Sequence, residues 1–193
     1  MHTIKSKPPP KRFMEVTIHK IGQTSTQADK IAEKISLMLS QMDVLLDDQR
    51  TKSIIQSISN ERFVPKVKYP GLRMDAVVEQ VGILAVMGNT ANIGARCFSS
   101  LYHANSGAIN EQIFIAHSPA NAWWREYRNK SSSDWKFGTG NRLSSYDLRK
   151  MVDELYPDLM RIPVTIISVE QDDSVQNYLR FCQMKERVPI SFP

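Results

Sequence analysis

Asp75-Ala-Val-Val-Glu-Gln-Val-Gly-Ile-Leu-Ala-Val-Met-Gly88 contains the longest apolar run of the chain, Val81 to Met87, and its reading decides the fold. Asp75 suits an N-cap position. The residues after it are apolar on almost every side of a helical wheel, the mark of a helix buried all round. The stretch therefore reads as a central buried helix. The run is far too short to cross a bilayer, which takes about 20 residues.

Upstream lies Phe63-Val-Pro-Lys-Val-Lys-Tyr-Pro-Gly-Leu-Arg73, a loop broken by Pro65, Pro70 and Gly71 and made cationic by Lys66, Lys68 and Arg73. Before it, Asp47 and Asp48 start a short helix with Ile54, Ile55 and Ile58 inward. A longer helix begins near Thr26, a candidate N-cap, with Asp29 in its first turn. Its apolar stripe is Ile31, Ile35, Met38, Met42 and Leu45. From Phe13 to Ile21 the chain alternates, with Met14, Val16 and Ile18 against Glu15, Thr17 and His19. That is a strand pattern. Lacking a hairpin partner, it is expected to bind another surface rather than build a sheet. Residues 1–12 are basic and proline-rich, hence extended.

Downstream, Asn89-Thr90 interrupts the apolar stretch, and a helix follows with Ile93, Cys97, Phe98, Leu101 and Tyr102. No acidic residue occurs between Glu79 and Glu111, so Arg96 has no local partner: a distant carboxylate and a phosphate both remain open. Glu111 to Ala116 fits strand or helix. Ser118-Pro119 opens a helix bearing Trp123, Trp124 and Tyr127. Lys130 to Arg142 is a polar loop. Ser144 or Ser145 caps a helix with Leu148, Met151, Val152 and Leu155 inward, ended by Pro157. Pro163 to Val169 is a short extended run. Asp172-Asp173 caps a last helix with Val175, Tyr178, Leu179 and Cys182, before an apolar extended tail. The sum is about seven helices and little strand. The expected fold is all-α, a mostly helical core with extended N- and C-terminal arms. Its divisions are an arm over 1–21, a helical core over 22–165, and a C-terminal helix and tail over 166–193.

The chain of 193 residues is long enough for one ordinary domain, and 41% apolar and 23% charged residues are near globular averages. The net charge of +5 permits a polyanion partner without demanding one. Cys97 and Cys182 read as free buried thiols. The four histidines are scattered, and no pair has metal-ligand spacing. The cationic N-terminus is not followed by an apolar run, so no secretory signal is expected. The expectation is a soluble protein of a reducing compartment, with no membrane partner.

Catalytic signatures are sparse. Asp75 and Glu79 are the only acidic pair beside a buried apolar segment. A metal-dependent nuclease would set a carboxylate, a spacer and a Glu-x-Lys on strands to hold its metal. Here the spacing is helical and no lysine follows. The loop with Gly138 and Gly140 lacks the preceding strand and Lys-Ser/Thr end of a phosphate loop. No enzyme, cofactor or metal site is expected. A cationic cluster of Arg125, Arg128, Lys130, Lys136 and Arg142 runs among Trp123, Trp124, Tyr127, Trp135 and Phe137. Aromatics can stack on bases while cations meet phosphates. They can equally be a core with a charged rim.

Over about residues 75–165 the sequence resembles the coat proteins of flexuous filamentous plant viruses of the potyvirus type. The similarity is carried by Gln112-Ile113, Ser118 and Glu126-Tyr127-Arg128-Asn129. It continues through Gly138, Leu143, Ser144, Tyr146, Leu148 and Tyr156, then Arg161, Pro163 and Val164, with Val77-Val78 and Asn89 upstream. The resemblance implies an all-helical subunit that self-assembles around single-stranded RNA, its arms joining neighbours into a helical filament. It implies a virion and host cytoplasm as location. The family's serine, arginine and aspartate pocket falls on Gln80, Glu111 and Glu154, which do not match it in type. RNA contacts are therefore expected from Arg96, Arg125, Arg128, Lys130, Lys136 and Arg142. The expected function is a structural coat or nucleocapsid protein. The alternatives are a non-assembling nucleic-acid-binding regulatory module and a metal-dependent nuclease using Asp75 and Glu79.

Overall fold

The structure, a computed structural model, describes residues 14–42, 48–58, 63–87, 93–119 and 144–171. Their order is β1 (Met14–Ile21), α1 (Thr26–Ser40), α2 (Asp48–Ser57), a 3-10 turn (Pro70–Leu72), β2 (Ala76–Val78) and β3 (Val81–Val86). Then come α3 (Ile93–Asn105), β4 (Glu111–His117), α4 (Ser145–Leu155) and β5 (Val164–Gln171). The strands form one sheet in the order β1-β5-β4-β3-β2. β3, β4 and β5 are parallel, while β2 and β1 pair antiparallel at the two edges. This is an α/β fold. It corrects the all-α expectation: the described residues hold four α-helices and a five-stranded mixed sheet.

The error begins at Asp75–Gly88. Its described part, Asp75–Met87, holds a hairpin, with Val78 opposite Val81 and the turn at Glu79 and Gln80, whose φ angles are 48° and 64°. A two-residue hairpin turn of this hand usually signals itself by Asn-Gly or Asp-Gly, and Glu-Gln does not. All six residues of β3 are buried, as are all seven of β4. A strand covered on both faces loses its alternation and reads as a continuous apolar run. Periodicity alone does not separate that run from a buried helix. Glu111 to Ala116, open in the sequence, is strand for the same reason.

Helices cover both faces. On one, Ile31, Ile35 and Leu39 of α1 and Ile54 and Ile55 of α2 pack on Ile83, Ala85, Ile113, Ile115 and Ile167. On the other, Cys97 of α3 and Leu148 and Val152 of α4 pack on Leu84, Val86, Phe114, Ala116 and Ile166. The four helices were legible as amphipathic stripes. Two caps sharpen them. Ser25, not Thr26, is the N-cap of α1, accepting from the Ala28 amide. Ser144 and Asp147 form a capping box on α4. The alternation over Phe13–Ile21 becomes β1, but it builds the sheet, pairing along its whole length with β5. Residues 1–13 and 172–193, with most of the expected arms and Cys182, lie outside the described residues.

Gly82 is required by space. It faces Gln112 in the ladder, and a Cβ there would stand 2.8 Å from Gln112 Oε1 and 3.0 Å from Ile109 Cδ1. That oxygen already accepts from Ser100 Oγ at 3.0 Å, tying α3 to the sheet. Gly82→Val is expected to cost about 2–3 kcal/mol in urea unfolding, through strain and a broken buried hydrogen bond. A second expectation concerns pH. Burial, aided by the Arg149 guanidinium, holds His19 below its ordinary 6.5. The unfolded chain then takes up the proton first. The contribution of His19 is complete above about 6.5 and is lost as pH falls through the lower folded value. Stability curves of wild type and His19→Gln should diverge only on that acid side.

Candidate functional site

In a sheet of parallel strands, binding sites form at the carboxyl edge, where chain and helices part. At this edge Met87 follows the end of β3, and β4 ends at His117 with Ser118 after it, all three buried. β2 runs the opposite way, so its beginning lies there, and the residue before it is Asp75. The antiparallel ladder stops at the pair Ala76–Ile83. The Asp75 carboxylate takes over from the ladder, its Oδ2 accepting from the Ala85 amide at 2.8 Å. Its Oδ1 lies 3.7 Å from Nζ of Lys52, which α2 carries to the same edge. The Asp75 side chain is 8% exposed and that of Lys52 36%. A nearly buried carboxylate and a half-exposed ammonium thus share one lip of the fold. By strand alternation, Met87 and His117 follow Ala85 and Ile115 onto the face that α1 and α2 cover.

The expected pairing of Asp75 with Glu79 is undone. Glu79 sits in the hairpin turn at the far end of β2, exposed, about 13 Å along the strand. Lys52, the actual neighbour, is 23 residues away in sequence on another element, with no local signal to connect them. β3 reads Val-Gly-Ile-Leu-Ala-Val, so no Glu-x-Lys stands on it. Hard divalent cations take several oxygen ligands. Among the described residues no three His, Cys, Asp or Glu side chains are grouped to hold a metal ion. This donor set does not fit one. Cys97 is buried under α3, and burial pushes its thiol up to about 11, so it is no nucleophile at neutral pH.

The expected RNA pocket positions lie elsewhere. Gln80, exposed in the hairpin turn, accepts from the Asn110 amide at 2.9 Å and from Asn110 Nδ2 at 3.2 Å. Glu111 accepts from the Ser25 amide at 2.9 Å, which places a carboxylate on the N-terminus of α1. A cation there would face the positive end of the helix, which gives Glu111 a structural reason to be acidic. Glu154 is exposed in the last turn of α4. Arg96 is half-buried in the first turn of α3. Arg125, Arg128, Lys130, Lys136 and Arg142, with all three tryptophans, lie outside the described residues.

No family model matches the chain, and no curated protein does. Solved structures do. The chain is similar to the restriction endonuclease BglII complexed with a DNA 16-mer, with a TM-score of 0.57 over 82% of this chain and 79% of that one. That likeness is one of fold. Sequence identity is 12%. Free BglII superposes with a TM-score of 0.47 at 11% identity, over 80% of this chain and 78% of that one.

The five-stranded sheet and this likeness overturn the coat-protein reading. Gln112-Ile113 belongs to a buried strand, and Arg161-Pro163-Val164 leads into β5, so residues that matched a helical subunit serve a sheet. Capsid, virion, filament and single-stranded RNA lose their support with it. The expectation of a chain that is not an enzyme is corrected too: it rested on the absence of local motifs, and the solved structure that shares this fold is a restriction endonuclease, an enzyme. No helix among the described residues is long and apolar enough to cross a membrane.

The role of Glu111 is directly testable. Glu111→Ala should cost about 1–3 kcal/mol in chemical denaturation, by orphaning the Ser25 amide and removing charge from a helix N-terminus. Glu111→Gln, which keeps an acceptor, should recover most of that loss.

Proposed function

We propose that the protein is a nuclease that hydrolyses DNA phosphodiesters, with Asp75 as its reactive carboxylate and Lys52 as the neighbouring cation. One observation carries this reading. In a fold shared with a restriction endonuclease, a nearly buried carboxylate and an ammonium stand together at the carboxyl edge of the parallel strands. DNA as substrate class follows from the complex in which that neighbour was solved.

Hydrolysis of a phosphodiester needs a water aimed at phosphorus and positive charge beside the oxygens on which negative charge grows. The Asp75 carboxylate, positioned by the Ala85 amide and lying beside Lys52, orients the water and accepts its proton. The Lys52 ammonium supplies the charge. Because the described donor set does not fit a divalent ion, no step is routed through one. Arg96, Arg125, Arg128, Lys130, Lys136 and Arg142 are proposed as phosphate contacts that hold the duplex.

The test is cleavage of supercoiled and linear duplex DNA by the full chain, with magnesium, with manganese and with chelator. Asp75→Asn can still accept from Ala85 and should fold, yet lower the cleavage rate about 100-fold or more. Lys52→Ala should lower it about tenfold to 100-fold. Intact duplex under every condition, or undiminished cutting by Asp75→Asn, would overturn the proposal.

A further inference from the structure

A second surface lies on the seam between α3 and the 3-10 turn. Ser99 Oγ donates to the Leu72 carbonyl at 3.0 Å, and His103 Nε2 lies 2.8 Å from the same oxygen. Both side chains are buried, so the helix and the turn are clamped through one acceptor. The residues one position earlier in each turn, Phe98 and Tyr102, are 61% and 45% exposed. Tyr69, just before the 3-10 turn, is 68% exposed. Its ring is drawn over Gly71, where a Cβ would stand 2.6 Å from Tyr69 Cε1. Single exposed aromatics are ordinary. Three on two elements locked together form a rigid display of rings.

Along the two stretches of chain that carry the rings, the charge has one sign. From Phe63 to Met74 the chain carries Lys66, Lys68 and Arg73 and no acid, and from Gln80 to Asn110 it carries Arg96 and no acid. Lys66, Lys68 and Arg73 are exposed. Exposed rings among cations are the chemistry of a strand whose bases are free to stack and whose phosphates are near. A duplex keeps its base faces inside, out of reach of such rings. A second copy of this surface would bring its own cations against these, which disfavours self-association.

We propose that this surface binds single-stranded DNA, with bases stacked on Tyr69, Phe98 and Tyr102 and phosphates met by Lys66, Lys68 and Arg73. The choice of DNA rests on the nuclease reading; the stacking surface does not.

Fluorescence anisotropy with a labelled oligothymidylate and a labelled duplex tests it on the full chain. Tyr69→Ala/Phe98→Ala/Tyr102→Ala should weaken oligothymidylate binding at least about tenfold and change duplex binding by less than about twofold. Lys66→Glu/Lys68→Glu should flatten the salt dependence of oligothymidylate binding by about 1.4 in log–log slope, at about 0.7 per lost phosphate contact. Circular dichroism confirms that both variants fold. Asp75→Asn should bind oligothymidylate like wild type, so a failure of cleavage leaves this result standing. Unchanged oligothymidylate affinity in both folded variants would overturn the proposal. So would loss of self-association in the aromatic variant with oligothymidylate binding intact, which would assign the surface to a second copy.

Discussion

The rest of the structure depends on the burial of β3 on both faces. A strand with six buried residues in six positions must be covered twice. α1 and α2 supply one cover, α3 and α4 the other. Parallel pairing with β4 follows from the same constraint, since the crossover helix α3 lays its apolar side back on the sheet. The central strands leave no room for side chains that water would need to reach. The polar chemistry of the fold is therefore pushed to the two ends of the sheet.

Those ends have different work. At the amino edge, polar groups close the structure. Asn110 bonds to the hairpin turn, Glu111 holds the start of α1, and Gln112 links Ser100 of α3 to the Ile113 carbonyl. At the carboxyl edge the ladder of β2 runs out one residue too soon, and the Asp75 carboxylate substitutes for the missing backbone partner of Ala85. One carboxylate oxygen is thereby fixed by the fold, and the other is left beside a cation.

The site was half legible. Asp75 stood out as an acid at the margin of an apolar run. Its partner did not, because Lys52 is brought to it by the packing of α2 over β3 rather than by spacing along the chain. Glu79 looked like the partner only while the stretch was taken as a helix, where residues four apart share a face. In the hairpin the same spacing sends Glu79 to the opposite end of the strand. The likeness to coat proteins failed for a related reason. Matches such as Gln112-Ile113 and Arg161-Pro163-Val164 are residue identities without periodicity, and identities alone do not say whether a backbone is coiled or extended.

What the sequence by itself determined are the elements half in water. β1 alternates because it lies at an edge, α1 and α4 carry one-sided stripes, and Ser144 with Asp147 marks the start of α4 by local hydrogen bonding. Such signals need no partner beyond a few residues. What only the tertiary structure decided is the state of Asp75–Met87 and Glu111–His117. Beyond the β2–β3 hairpin itself their pairing is with distant strands, and their centres, Val81 to Val86 and Ile113 to Ala116, are apolar on both faces. Nothing within either stretch distinguishes a buried helix from a buried strand; the sheet around them does.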